Sequence, residues 1–393
     1  MPRVLFVHHR PQPSGAAQSL ALLIEGLGKD WEAHVVVPGG GAAKLFAAAG
    51  ATVHRVPVPA FTHTWDVQYR GFRWLVALRE LVSLPRHARM FKRLLRELHP
   101  AVVHLNDSVL VASALIAHRA RSPVVWHLRS ALPNGGHDRR SRWICGLIDK
   151  TGASAIAIDS DVAQTFTLTI SVSVVPNVVV VRPGETTNLH VPDGHLAIGY
   201  VGYLRRQKGW PEFLRALRLL VDDGVRVHGV VVGGGVRPHS SFRGTRGRLL
   251  ELLGVPDEEL AFGRELDRLA LQQHVTWLPF TSDIGSVYRG LDLVCFPNQG
   301  VGLGRPVLEA AAYGVPAIAA GSSGGAGLLV PGVTGVLLDR GDAASIAAAV
   351  RELVEDPAAL TRLAEAAAAH AGQMPTPELA ASRVQAAWLS AIG

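Results

Sequence analysis

The sequence predicts an α/β protein of two domains, each built on a parallel sheet that helices cover on both faces. Short, fully apolar stretches such as Val4–Val7 and Val124–Leu128 alternate with helical stretches such as Ala17–Leu27. This alternation is typical of parallel strands that are buried on both faces. It breaks in a polar segment rich in Pro and Gly, Arg182–His195, and restarts at Ala197. At 393 residues, the chain is long enough for two such domains.

The first predicted domain, residues 1–190, has seven strands, with helices such as Ala17–Leu27 and Ser108–His118 between them. The strands are expected at Val4–Val7, His34–Val37, Val53–Val56, Ala101–Leu105, Val124–Leu128, Ala155–Ile158 and Ser173–Val175.

The second predicted domain, residues 191–375, repeats the pattern. Its strands are expected at Ala197–Val201, Val225–Val232, His274–Leu278, Leu291–Phe296, Ala317–Ala320 and Val336–Leu338. Its helices are expected at Trp210–Asp222, Ile284–Gly290, Val307–Tyr313 and Ala343–His370, the last with a break at Asp356-Pro357. We expect residues 376–393 to form a helix that crosses back to the first domain.

Composition narrows the class of protein. Hydrophobic residues make up 48% of the chain and charged residues 18%, which suits well-filled globular cores. No apolar run approaches the roughly 20 residues of a membrane span. Cys145 and Cys295 are too few and too far apart for a disulfide framework or a metal cluster. Val4–Val7 is too short for the core of a signal peptide, so we expect a cytoplasmic protein.

The net charge of +7 is concentrated in the first half, where residues 1–190 hold 21 Lys and Arg against 12 Asp and Glu. The excess is sharpest over Arg70–Arg96, where apolar and aromatic residues alternate with the basic ones. Such a segment can lie on the inner face of an anionic membrane or grip an anionic acceptor. The alternative is a solvated pair of helices whose apolar residues face the core. Nucleic-acid binding is not expected, because no recognised motif accompanies the charge.

A glycine-rich turn, Gly302-Leu303-Gly304, leads directly into a helix that carries Arg305 and Glu309. Free N–H groups at the start of a helix bind anions, and a carboxylate one turn later can accept hydrogen bonds from a ribose diol. The turn and helix therefore suggest a pocket for a nucleoside diphosphate. The alternative is an ordinary buried helix with Glu309 on the surface.

Several other motifs occur in a fixed order along the chain. They are Ser14-Gly15-Ala16-Ala17-Gln18, Pro123-Val124-Val125-Trp126-His127, Val175-Pro176-Asn177, Gly199–Gly209, Gly304–Ala310 and Thr334–Leu337. With them the chain resembles the retaining glycosyltransferases of family 4 type, also called glycosyl transferases group 1. The resemblance spans nearly the whole chain. It implies the GT-B fold, in which two Rossmann-like domains face each other across a cleft.

The resemblance implies an enzyme that moves a sugar from a nucleoside diphosphate sugar to an acceptor hydroxyl with retention of anomeric configuration. UDP or GDP is the expected nucleotide, and no metal or further cofactor is expected. The acceptor is expected to be a glycan, a lipid-linked molecule or a small molecule. His127 would reach the donor sugar, and Lys208 would neutralise the departing diphosphate. Arg205 or Arg206 would add positive charge, and Glu309 would hold the ribose.

The remaining substrate-binding residues follow from the same resemblance. They are Gly15 in the first loop, Gly302, Leu303, Gly304 and Arg305 in the glycine-rich turn, and Leu278 and Phe280, whose backbone would recognise the base.

The chain departs from the family pattern at three polar anchors. Val301 stands where the family has a glutamate, Tyr203 where it has an arginine, and Ala326-Gly327 where it has Pro-Glu. Either the donor sugar has fewer hydroxyls to bind, or activity is altered or lost. A non-catalytic partner subunit with this fold and a nucleotide-sugar epimerase are the two alternatives to a transferase.

Overall fold

A computed structural model describes residues 1–61, 74–235, 237–281, 283–299, 304–320 and 329–393. The chain forms two compact units. Unit 1 comprises Met1–Val179 and Pro375–Gly393, and unit 2 comprises Val180–Met374. No helix in the described parts of the chain is both long and apolar enough to cross a membrane.

Unit 1 is built on a parallel sheet of seven strands in the order β3-β2-β1-β4-β5-β6-β7. The strands are β1 (Arg3–Val7), β2 (Glu32–Val37), β3 (Thr52–Arg55), β4 (Val102–Leu105), β5 (Val124–Leu128), β6 (Ser154–Ala157) and β7 (Val172–Val174). The helices are α1 (Gly15–Gly26), α2 (Gly40–Ala48), α3 (Trp74–Leu98), α4 (Val111–Arg119), α5 (Arg139–Thr151) and α6 (Ser160–Gln164).

Side chains of the first sheet alternate between two cores, because successive residues of a strand point to opposite faces. Val4 and Phe6 pack on one face with α1 and α2. Leu5 and Val7 pack on the other face with α3, α4 and α5. The central strands β1, β4 and β5 are buried almost completely and are mainly apolar, whereas the edge strands β3 and β7 are partly exposed and carry polar residues.

Unit 2 is built on a parallel sheet of six strands in the order β10-β9-β8-β11-β12-β13. The strands are β8 (Leu196–Val201), β9 (Val227–Val232), β10 (Val275–Leu278), β11 (Leu293–Phe296), β12 (Ala317–Ala320) and β13 (Gly335–Leu338). The helices are α7 (Trp210–Asp222), α8 (Gly244–Leu252), α9 (Glu258–Arg268), α10 (Gly285–Tyr288), α11 (Arg305–Ala312), α12 (Ala343–Glu355) and α13 (Pro357–Ala371). The predicted fold class, two α/β domains with parallel sheets, is confirmed.

The division between the units falls after Val179 and not after residue 190. The predicted linker belongs to unit 2 because α10 and the residue after it bind it. Thr187 Oγ1 donates to Ser286 Oγ at 2.7 Å, and the Arg289 guanidinium donates to the carbonyls of Arg182 and Glu185. The polar segment that the sequence predicts as a linker is therefore hydrogen-bonded to unit 2.

The helix α14 (Pro377–Ile392) belongs to unit 1. Its Trp388 is fully buried in the core that contains Phe6 and Val4. At its start, a Cβ on Gly26 would lie 2.3 Å from the Pro377 carbonyl oxygen, so α1 and α14 meet where only a glycine fits. The unit 1 sheet is thus covered by two separate parts of the chain.

Candidate functional site

Each sheet reverses its strand order beside its first strand, between β1 and β4 in unit 1 and between β8 and β11 in unit 2. Open parallel sheets bind ligands in the crevice that such a reversal leaves at the carboxyl ends of the strands. The candidate residues of unit 2 therefore belong to the loops after β8 and β11, and those of unit 1 to the loops after β1, β4 and β5.

The loop after β8 holds a tight turn that ends at Gly209. This residue has a φ of +81°, and a Cβ there would lie 2.1 Å from the Pro297 carbonyl oxygen. Only glycine allows this approach. The backbone N–H of Gln299 also donates to the backbone carbonyl of Gln207 at 2.9 Å. This bond ties the loops after β8 and β11 together. Lys208, within this turn, is thereby held at the crevice.

Lys208 is a half-buried cation, and no ion pair among the described residues includes it. Its Nζ lies 5.1 Å from the ring centre of Phe296, the last residue of β11. Burial, with a smaller effect from the charge of Arg205, lowers the pKa of Lys208 to about 8. A cation held without a counter-ion in a crevice is suited to an anionic ligand.

The structure separates the two arginines that the sequence leaves as alternatives. Arg205 acts electrostatically on Lys208. Arg206 is exposed, and its guanidinium lies 5.8 Å from the ring centre of Trp210. Arg205 is therefore the better placed of the two to share an anion with Lys208. Tyr203, which replaces the family arginine, accepts a hydrogen bond from the Tyr200 hydroxyl at its carbonyl oxygen.

Helix α11 begins beside Phe296, the residue that Lys208 also contacts. A Cβ on Gly304, its N-cap, would lie 2.6 Å from Phe296 Cζ, the ring that also contacts Lys208. Its first turn holds no acidic residue, so nothing in that turn opposes an anion at its N-terminus. The predicted residues Gly302 and Leu303, and the departures at Val301, Ala326 and Gly327, lie outside the described residues.

The carboxylate of Glu309 is held from two sides. Arg305 Nε donates to Glu309 Oε1 at 2.9 Å, and the Tyr288 hydroxyl donates to Glu309 Oε2 at 3.0 Å. The Glu309 side chain is only 14% exposed. The alternative reading of Glu309 as a surface residue is therefore wrong. Tyr288 gives no signal in the sequence, because it precedes Glu309 by 21 positions on another helix.

The predicted base-recognition residues lie at the end of β10, and β9 separates this strand from β8. The Leu278 carbonyl accepts a hydrogen bond from the Gly233 amide at 3.0 Å, so it is already used within the fold. The Phe280 ring is 58% exposed. Recognition of the base at these two residues stays a prediction.

In unit 1, a polar network joins the ends of β1, β4 and β5. Asn106 Oδ1 accepts from Arg129 Nε at 2.9 Å, while Asn106 Nδ2 lies 3.0 Å from His8 Nδ1 and 3.3 Å from the Ala16 carbonyl. Arg129 also donates to Asn177 Oδ1 at 2.8 Å. The sequence analysis missed Arg129, although a cation directly after a buried strand is a signal for it.

Gly15 is the first residue of α1, directly after the N-cap Ser14, whose hydroxyl accepts from the Ala17 amide. The Ala16 carbonyl in the same turn binds Asn106, so the structure brings Gly15 close to the polar network of unit 1.

His127, in strand β5, is buried, and only 3% of the residue is exposed. Trp388 Nε1 donates to His104 Nδ1 at 3.0 Å, and His104 Nε2 lies 3.0 Å from His127 Nδ1. An indole N–H can only donate, so a neutral His104 carries its proton on Nε2 and gives that hydrogen bond to His127. His127 then carries its own proton on Nε2.

Burial keeps these histidines neutral. It lowers the pKa of His104 to about 3 and that of His127 well below its usual value, with the charge of Arg129 as a smaller cause. His127 Nε2 has no hydrogen-bond partner among the described residues. It lines a small cavity with Leu23, Arg129, Asn177 and Ala380, all from unit 1. His127 is therefore a hydrogen-bond donor and not a base, and its contact with a donor sugar stays a prediction.

Metal-ligating residues are not grouped in the described ranges: no three His, Cys, Asp or Glu side chains there are placed to hold an ion. Both cysteines are buried as free thiols.

Two family models match the chain. The model described as glycosyl transferases group 1 matches residues 185–370, and the model described as glycosyl transferase 4-like domain matches residues 14–159. The matches fall one in each half of the chain and together include every described strand except β1 and β7.

Curated relatives match over part of their length. A capsular polysaccharide biosynthesis glycosyltransferase, CapM of Staphylococcus aureus, is 26% identical over 162 residues, which is 41% of this chain and 37% of the relative. A D-inositol 3-phosphate glycosyltransferase of Mycolicibacterium smegmatis is 33% identical over 186 residues, which is 47% of this chain and 38% of the relative. The chain thus spans about two fifths of these relatives' length.

A solved structure matches over its whole length. HepE of Anabaena, crystallised in complex with UDP-glucose, is 19% identical with a TM-score of 0.77, and the match covers 99% of each chain. At this identity the likeness shows a shared fold, the two-domain GT-B architecture.

Proposed function

The chain belongs to the glycosyl transferases group 1 family, of family 4 type, and from this membership we propose that it is a sugar-transferring enzyme. Its donor is a nucleoside diphosphate sugar, and its acceptor is a hydroxyl of a glycan, a lipid-linked molecule or a small molecule. The observation that carries the proposal is Lys208, a half-buried cation beside the N-terminus of α11 that pairs with no carboxylate in the described ranges. The UDP-glucose bound to the structural neighbour HepE supports the class of donor.

Unit 2 binds the donor nucleotide in this proposal. The diphosphate lies against Lys208, Arg205 and the positive end of the α11 dipole, which supply positive charge in place of a metal ion. The ribose hydroxyls bind the carboxylate of Glu309. UDP and GDP are the expected nucleotides.

The reaction breaks the bond between the anomeric carbon and the diphosphate oxygen and forms a bond from that carbon to the acceptor oxygen. We propose that configuration is retained and that the leaving phosphate oxygen takes the acceptor's proton. Lys208, Arg205 and the α11 dipole stabilise the charge that develops on the diphosphate. His127, with its proton on Nε2, can donate to a sugar hydroxyl but cannot act as the base.

We also propose that α3 rests on an anionic membrane surface, where a lipid-linked acceptor is presented. In the described part of the basic segment, α3 is a single helix and not the helix pair of the alternative prediction. Leu78, Leu81 and Val82 are 44%, 53% and 72% exposed. Exposed Arg86 and Arg89 continue the face of Val82 at helical spacing. Arg70 and Arg73 lie outside the described residues.

A titration with UDP, GDP and ADP tests the donor site. Lys208→Ala should weaken binding of the preferred nucleotide by about tenfold or more, because a charge-assisted contact in a half-buried site is lost. Lys29→Ala is the matched control, since Lys29 is exposed in unit 1. Transfer to an acceptor should fall in parallel with binding.

Three results would contradict the transferase. Failure of the folded wild-type protein to bind any nucleotide would favour a non-catalytic subunit. Equal binding by the Lys208→Ala and Lys29→Ala variants would remove Lys208 from the site. Conversion of the donor sugar in the absence of any acceptor would favour an epimerase.

A further inference from the structure

We propose that Tyr288 and Arg305 are positioning residues that hold the Glu309 carboxylate in the one orientation that accepts both ribose hydroxyls. The inference rests on the proposed function, because it assumes that Glu309 is the ribose contact. It adds two residues whose role would be to set how strongly the site prefers a ribonucleotide to its 2′-deoxy counterpart.

The two hydrogen bonds fix the rotation of the carboxylate. A carboxylate has two oxygens with about four acceptor sites in all. Arg305 occupies one site on Oε1 from within α11, and Tyr288 occupies one on Oε2 from α10. One acceptor site remains on each oxygen. Two free sites on adjacent oxygens match a vicinal diol, which offers two hydroxyl donors side by side.

Tyr288 is itself held rigidly. Its side chain is fully buried, and its ring stacks on Tyr313 with centres 5.8 Å apart and planes 14° apart. Burial and the charge of Glu309 raise the pKa of the Tyr288 hydroxyl, which therefore stays protonated and donates. The position of Glu309 Oε2 is thus set by an aromatic pair in the core of unit 2 and not by solvent.

Arg305 supplies the opposite charge. Its side chain is 13% exposed, nearly the same as that of Glu309, so the pair is shielded from water. A shielded carboxylate needs such partners, because removing one leaves a charged acceptor without compensation. The ion pair orients the Glu309 carboxylate before the nucleotide arrives, so the nucleotide need not order it.

The test compares two nucleotides on two tyrosine variants. In the wild type, UDP should bind about tenfold or more tightly than 2′-deoxy-UDP, since a site built for a hydroxyl rejects the analogue without it. In Tyr288→Phe this preference should fall at least about threefold, because the carboxylate can turn away from the diol. The GDP and 2′-deoxy-GDP pair replaces the uridine pair if the titration shows a preference for guanine.

Tyr313→Phe is the matched control. It removes a hydroxyl from the ring stacked on Tyr288, but that hydroxyl accepts from the Arg182 amide and does not contact Glu309. The preference for the ribonucleotide should remain at the wild-type value. Glu309→Gln should lose the preference, which shows that Tyr288 acts through Glu309. Circular dichroism confirms that each variant is folded.

The possible results separate the two proposals. If Tyr288→Phe weakens both nucleotides equally, Tyr288 is only structural and the inference is overturned. If the wild type binds UDP in a Lys208-dependent manner without any ribose preference, the inference fails while the proposed diphosphate site stands. If no nucleotide binds, both fail together.

Discussion

The two units use the carboxyl ends of similar parallel sheets in opposite ways. Unit 1 fills the space beneath this edge with neutral groups joined by hydrogen bonds, from Trp388 through His104 to His127. Unit 2 places charges at its edge: a lysine that forms no ion pair within the described part of the chain, and a carboxylate that accepts hydrogen bonds from two side chains. We expect the first arrangement to stabilise the fold and the second to be suited to an anionic ligand.

The difference follows from the cost of burying charge. A buried histidine avoids that cost by staying neutral, as burial lowers the pKa of His104 to about 3. Lys208 stays charged near neutral pH because burial lowers its pKa only to about 8. A half-buried cation that lacks a partner lowers stability, and such groups are found mainly at functional sites. The comparison therefore predicts a structural role for Trp388 and His104 in unit 1, and it supports the binding role proposed for Lys208 in unit 2.

The largest expected effect is a loss of stability when the hydrogen-bonded group Trp388, His104 and His127 in unit 1 is disrupted. Trp388→Ala should lower the free energy of unfolding by about 3–5 kcal/mol, because it empties a fully buried site and leaves His104 without its donor. Urea unfolding followed by circular dichroism measures the change. Lys208→Ala should show no loss in the same experiment.

The control for Trp388 is its neighbour on α14. Leu389 is 62% exposed, so Leu389→Ala should change the free energy of unfolding by less than about 0.5 kcal/mol. Equal losses in the two α14 variants, or a large loss in Lys208→Ala, would show that the assigned roles are wrong.

A smaller expected effect is a change of nucleotide affinity with pH, which depends on Lys208 in unit 2 and not on the buried histidines in unit 1. Lys208 loses its proton as the pH rises through about 8 in the free protein. A diphosphate binds the protonated form, so its affinity should fall about tenfold between pH 7 and pH 9. Calorimetry should also show proton uptake on binding. Burial lowers the pKa of His104 and His127 far below this range, so these two histidines stay neutral and contribute nothing.

Lys208→Arg is the control, because an arginine keeps its charge at these pH values. Its nucleotide affinity should be flat from pH 7 to pH 9. A wild-type affinity that is equally flat would remove the lysine from the diphosphate site.

The smallest expected effect concerns α3. If its exposed face rests on an anionic membrane, Arg89→Ala should weaken binding to vesicles of anionic phospholipid by about fivefold, the contribution of one cation near the surface. Sedimentation with vesicles measures the change. Lys29→Ala, which alters the turn after α1 on the other face of the sheet, should have no effect. No binding of the wild type, or equal losses in both variants, would contradict the membrane proposal.

The sequence predicts structure well where the signals are local. The predicted break at Asp356-Pro357 is confirmed, because α12 ends at Glu355 and α13 begins at Pro357 with Asp356 as its cap. The boundary between the units falls at Val179, earlier than the predicted residue 190, because the signal that fixes it is not local. What fixes Arg182 and Glu185 to unit 2 is Arg289, more than a hundred positions away.

In the candidate site, too, local motifs predict some features, and distant contacts determine the others. Lys208 and Glu309 belong to short motifs that their neighbours in sequence define. The proton position on His127 depends instead on His104, whose own partner Trp388 lies 284 positions away from His104 in the sequence. No pattern of residue types reveals which nitrogen of a histidine carries the proton. That information exists only once the chain has brought the indole to the ring.

The return of α14 to unit 1 inverts the order in which the units are completed during synthesis. Unit 2 is one continuous segment, Val180–Met374, and the ribosome makes all of it before Pro377. Unit 1 begins first, but it lacks the helix that covers Phe6 and His104 until unit 2 is finished. The sheet of unit 1 is therefore made before unit 2 but covered after it, and its apolar face needs protection in the meantime.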